Sequence, residues 1–160
     1  MNARNFAALA ITASLLGFTA QTAQAADGPL AHFAGTWSGN GKITVQNGTS
    51  ERIRCRSSNT ASGNALALSM RCASDSYKFD LASDIAADGA SISGSWNETS
   101  RGVIGSLSGK ISGNNITATA TSVAVTAALS IRTSGNALSV SIRSPGSEVS
   151  EVAVTMARSK

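Results

Sequence analysis

Arg52, Arg54 and Arg56 alternate with Ile53 and Cys55, so on an extended strand all three arginines project from one face. A hairpin turning at Gly63-Asn64 sets Arg71 opposite Arg56, which collects four guanidinium groups on that face. Like charges directly across strands repel, and planar guanidinium forks match carboxylate and phosphate geometry. The face therefore reads as an anion or partner surface, for phosphate, lipopolysaccharide or an acidic protein. Glu51, Asp75 and Asp80 are the local carboxylates that would otherwise neutralise it. Catalytic sets are missing. His32 is the lone histidine and precedes the first strand. The many serines lie in no G-x-S-x-G elbow and no S-x-x-K. Glu98 and the aspartates could form a carboxylate pair only through tertiary placement. Two cysteines and one histidine are too few for the usual Cys/His zinc site. These residues point to binding rather than catalysis, with no metal or cofactor implied.

The elements that position them are strands. The chain alternates apolar and polar residues in period two, with turn residues every 8 to 12 positions. Strands are predicted at about 36–46, 50–57, 64–72, 76–83, 90–97, 101–111, 115–122, 123–132, 137–143 and 148–157, with one helical turn near 28–34. Turns at Asn47-Gly48, Gly63-Asn64, Asp88-Gly89, Gly113-Asn114, Gly135-Asn136 and Pro145-Gly146 punctuate them, and Ser62-Gly63-Asn64-Ala65-Leu66 recurs as Ser134-Gly135-Asn136-Ala137-Leu138. We read the recurrence as one good turn used twice. Antiparallel partners share a constant index sum, and a turn at Gly63-Asn64 gives 127, the sum of 55 and 72. Cys55 and Cys72 therefore face each other and are predicted to form a structural disulfide.

Strand parity then sorts the faces. Ile43 and Val45 point one way, as do Leu68 with Met70 and Tyr77 with Phe79 and Leu81. Trp96 and the row Val123, Val125, Leu129 and Ile131 continue the set, while Ser, Thr, Lys and Arg fill the opposite faces. One dry and one wet face in about ten antiparallel strands predicts an all-β, up-and-down barrel of about eight to ten strands, with a two-sheet sandwich as the alternative. Gly39, Gly41, Gly94, Ala118, Ala120 and Ala127 supply little interior volume, so a barrel of this width is expected to hold a cavity. Trp37, Leu68, Met70, Tyr77, Phe79 and Trp96 are its candidate ligand-binding residues; for Trp37 and Trp96 a core role is the competing reading.

The first 25 residues read as a cleaved signal peptide: Arg4, an apolar run from Phe6 to Phe18, and an Ala23-Gln24-Ala25 cleavage site. This predicts a single domain over residues 26–160 in a periplasmic or secreted setting, where a disulfide is the default. Beyond Ala25, 25 Ser, 11 Thr and 14 Gly make up 50 of 135 positions. The same region carries 12 cationic and 9 acidic side chains, a net of +3, too mild by itself to argue for nucleic acid. No apolar stretch there is long enough to span a membrane as a helix.

The opening Phe33-Ala34-Gly35-Thr36-Trp37 resembles the Gly-x-Trp that begins the first strand of lipocalin and wider calycin barrels. That resemblance implies a tryptophan packed across the closed end of a barrel. Avidins begin with a similar Gly-Thr-Trp. Leu30 to Trp37 also resembles the opening of small periplasmic single-disulfide inhibitors of bacterial metalloproteases. More broadly the chain resembles small secreted β-proteins of Gram-negative bacteria. The expected function is a lipocalin-like binding protein for a small apolar or amphipathic ligand. The alternatives are a protein-interaction module, such as a protease inhibitor, and an envelope-surface protein using the arginine face.

Overall fold

The computed structural model describes residues 28–159. The expected signal segment and its cleavage point lie outside the described residues. A single 3-10 turn, Ala31–Phe33, leads into ten strands: β1 Gly35–Val45, β2 Ser50–Ser62, β3 Ala65–Ala73, β4 Lys78–Asp88, β5 Ser91–Glu98, β6 Val103–Ser112, β7 Asn115–Thr121, β8 Thr126–Ser134, β9 Ala137–Arg143 and β10 Val149–Arg158. Each strand pairs antiparallel with the next, and β1 pairs with β10, so the sheet closes into a barrel rather than a sandwich. Closure leaves no unpaired sheet edge.

The two ends differ because their turns differ. At one end every hairpin is a two-residue turn with glycine first, at Gly63, Gly89, Gly113 and Gly135, and all four glycines have positive φ between 53° and 57°. Only the glycine takes the left-handed conformation; the Asn or Ala after it does not, which is the pattern of a type II′ hairpin turn. The carbonyls of Asn64, Ala90, Asn114 and Asn136 each accept an N–H from a neighbouring strand, which tightens this end further. The opposite end carries four- or five-residue connections at 46–49, 74–77, 99–102, 122–125 and 144–148.

The tight end is also plugged. Leu30, Phe33 and Trp37 are fully buried there with Leu66 and Leu138, the two leucines of the repeated turn. The Phe33 carbonyl accepts two hydrogen bonds, from Trp37 Nε1 at 3.2 Å and from Asn59 Nδ2 at 2.9 Å. Asn59 Oδ1 in turn accepts from Ser57 Oγ at 2.6 Å. Arg158 Nη1 donates to the Ala34 carbonyl at 2.7 Å, and the guanidinium lies 4.1 Å from the Trp37 ring centroid. Gly39 allows β1 to press onto β10, because a Cβ there would stand 2.1 Å from the Thr155 carbonyl oxygen.

Cys55 and Cys72 are directly opposed, with Cα atoms 4.1 Å apart, and are joined by a disulfide. The bridge spans a sequence separation of 17. Removing it by Cys55→Ser is expected to lower the unfolding free energy by about 3 kcal/mol, since the open chain regains loop entropy. A denaturation midpoint under oxidising conditions that matched the parent would contradict this.

Several strand limits depart from the sequence expectation, for physical reasons. β2 runs to Ser62 because Ser57 and Asn59 continue the inward row as hydrogen-bonded polar groups. β4 starts at Lys78 because the Ser74 hydroxyl accepts the Tyr77 N–H and holds 74–77 as a turn. β6 starts at Val103 because the Glu98 carboxylate gathers the next turn around itself. β8 starts at Thr126 because the Ser122 hydroxyl accepts the N–H groups of Ala124 and Val125, a side-chain mimic of a backbone turn. Val123, placed in an inward row by parity, is therefore fully exposed in a loop. Val125 belongs to that same loop rather than to a strand.

Candidate interior binding site

Inward side chains do not fill the open half of the barrel. On β7 and β8 two of the facing inward residues, Ala120 and Ala127, are small. The result is a cavity of about 330 Å³ reached from the long-loop end. That volume sits at the lower end of the range usual for small-molecule sites, about 300–1,000 Å³.

Four of the six sequence-predicted ligand residues line it: Leu68, Met70, Phe79 and Trp96. Trp37 does not line it; it is wholly buried in the plug below, where its indole N–H is already used. Tyr77 is also outside the cavity lining, because it falls in the 74–77 turn rather than on β4, and it packs partly buried against the core from there. Trp96 packs against Gly105, its partner on β6, and its Nε1 donates to the Ser106 carbonyl at 3.1 Å. A Cβ on residue 105 would stand 2.6 Å from that nitrogen, so the glycine is what seats the indole in the wall.

The deep wall offers no free hydroxyl donor. Ser57 and Ser83 reach the cavity, but their hydroxyls already donate, Ser83 to the Ser95 carbonyl at 2.8 Å. Polar and charged groups gather instead at the mouth: Glu98, Arg101, Ser144, Ser147 and Glu148. None of these five is among the sequence-predicted ligand residues. The clustering of Glu98, Ser100 and Arg101 within four residues was the available signal. Arg101 bridges the mouth, with its guanidinium 4.9 Å from the Phe79 ring centroid and 3.7 Å from Glu98 Oε2.

Glu98 is 8% exposed and organises this rim. Burial pushes its carboxyl up, but the Ser100 hydroxyl and the backbone N–H groups of Asp80, Ser100 and Arg101 outweigh that and leave it below the usual carboxylate value. A lowered folded value means the group contributes stability above its unfolded value, about 4.3, and loses it as pH falls through the folded value. Glu98→Gln is therefore expected to flatten part of the acid limb of stability below about pH 4.3. Urea midpoints of both proteins across that limb check this; parallel acid limbs would contradict it.

The four arginines lie together on the outer wall. Arg56 stands opposite Arg71, and Arg52 opposite Lys42, which adds a fifth cation. Arg71 pairs with Asp80 at 2.5 Å, and its hydrogen bond holds the Asp80 carboxyl below its usual value. Glu51 instead accepts from the Ser74 hydroxyl. Among the described residues no three His, Cys, Asp or Glu side chains are grouped to hold a metal ion, and no helix is long and apolar enough to cross a membrane.

Fold and cavity together define a ten-stranded antiparallel barrel with one plugged end and one open, apolar interior. Among solved structures, the crystal structure of Rv2717c from M. tuberculosis is similar, with a TM-score of 0.63 over 82% of this chain and 95% of that one. The two share 15% sequence identity, which places the likeness at the level of the fold. Lipocalin barrels have eight strands, two fewer than this one. No family model and no curated protein matches the chain.

Proposed function

We propose that this protein binds one small, predominantly apolar or amphipathic molecule inside the barrel, as an exported carrier rather than an enzyme. The observation that carries this reading is the open apolar cavity above a sealed floor. The placement of polar groups supports an orientation: apolar part inward against Leu68, Met70 and Trp96, polar end at Arg101 and Glu98. The A-x-A signal pattern and the disulfide support an oxidising, periplasmic or secreted setting.

The inhibitor reading has less support. An inhibitor that inserted its N-terminal segment would have to withdraw Leu30 and Phe33 from the floor. One that added a strand to its target would need a free edge, and the closed barrel has none.

Titration with a medium-chain fatty acid and with its uncharged alcohol, read by tryptophan fluorescence, tests the reading. Trp96 lines the cavity and Trp37 does not, so a saturable one-to-one response is expected that disappears in Trp96→Phe. A response retained in that variant, or none for either probe, would count against a ligand in the barrel.

A further inference from the structure

We propose that the outer wall of β1 to β3 is a second binding site, independent of the cavity, for an acidic polysaccharide. Lys42, Arg52, Arg54 and Arg56 are all exposed, and among the described residues none makes an ion pair. The three arginines follow one strand, so their side chains leave the wall about 6.7 Å apart and the row extends about 13 Å. Two like-charged pairs stand directly across strands, Lys42 with Arg52 and Arg56 with Arg71. Such pairs are unfavourable in the free protein, and of these residues only Arg71 has a counter-charge in the fold.

The neighbours of these cations select the kind of polyanion. Ser38, Asn40, Ser58 and Ser69 are among the outward residues beside them, with Ala73 and Ala153 across from Arg54 and Lys42. Hydroxyls and an amide next to guanidinium forks suit a chain that alternates sugar hydroxyls with carboxylate or sulfate groups. No aromatic side chain faces outward on these three strands, so nucleic-acid bases would find nothing to stack on. No large apolar side chain projects there to enter a bilayer; the exposed ones, Ile104 and Val123, lie on β6 and the 122–125 loop.

The test is fluorescence anisotropy with labelled oligosaccharides of two kinds, a polyuronate and a heparin fragment. A neutral dextran, a single-stranded oligonucleotide and anionic phospholipid vesicles are run beside them. Binding of at least one acidic oligosaccharide and not of dextran is expected, weakening about tenfold or more between about 50 and 200 mM salt. Binding of the polyuronate shows that carboxylates suffice; binding of heparin alone shows that its added sulfate charge is needed. The triple variant Arg52→Ser, Arg54→Ser, Arg56→Ser should weaken binding at least about tenfold and reduce the salt slope by about two, at roughly 0.7 per lost contact. Lys110→Ser with Arg132→Ser, exposed cations on β6 and β8, should change neither. Circular dichroism melts confirm that both variants fold. No binding at low salt, equal losses in the two variants, or tighter binding of the oligonucleotide or vesicles would overturn the proposal.

Discussion

Trp37→Ala is expected to destabilise the protein by about 3–5 kcal/mol, the range for deleting a large aromatic from a core. The side chain is fully buried, donates to the Phe33 carbonyl and carries the Arg158 guanidinium on its ring. Truncation opens a void in the floor and leaves Arg158 over that void. Trp37→Phe separates these contributions. It keeps most of the buried area but removes the indole N–H. Asn59 still satisfies the Phe33 carbonyl, so the cost should fall to about 1 kcal/mol. Denaturant midpoints for the two variants measure both. A Trp37→Ala loss near that of Trp37→Phe would mean that Leu30 and Phe33 hold the floor without the indole. Ligand affinity in Trp37→Phe should match the parent, because the residue does not line the cavity.

Ala127→Phe is expected to abolish interior binding, weakening the fatty-acid probe by about a hundredfold or more, a loss of about 2.7 kcal/mol. Ala127 and its partner Ala120 both line the cavity, and their small size leaves the open half unfilled. A phenylalanine there points into existing space, so the fold should be unharmed or gain from the added apolar burial. The pairing of unchanged or raised stability with lost binding is the signature. Unchanged affinity in a folded Ala127→Phe protein would show that the probe sits elsewhere. A folding defect would mean that the wall cannot accept the ring, and Ala120→Leu then supplies the smaller obstruction.

Much of this architecture was legible in the sequence because period two is enforced wherever one face is dry. The index sum fixed Cys55 against Cys72, and the same arithmetic put Arg56 against Arg71. What parity could not supply was where each strand stops. Tyr77 and Val123 have inward parity, yet each falls in a turn organised by a serine hydroxyl, Ser74 or Ser122. Parity loses its meaning as soon as the chain leaves the ladder. The polar interior was equally hidden. Ser57 and Asn59 read as a strand end, but their partners are carbonyls 12 and 26 residues away.

The cavity site was half visible. Leu68, Met70, Phe79 and Trp96 announce themselves as bulky inward residues. The mouth residues Glu98 and Arg101 do not, because their role comes from a turn that folds back onto β4 through the Asp80 N–H. The small residues that create the space, Ala120 and Ala127, were recognisable as small. That they oppose each other across two strands becomes apparent only once the β7–β8 register is known.

A barrel that carries a ligand should reveal it in native mass spectrometry of gently purified protein. A stoichiometric adduct that survives soft ionisation and leaves on denaturation is expected. Organic extraction would then yield a molecule small enough for a cavity of about 330 Å³. A bare protein mass from native source material, together with no saturable uptake of the fatty acid or its alcohol, would contradict it.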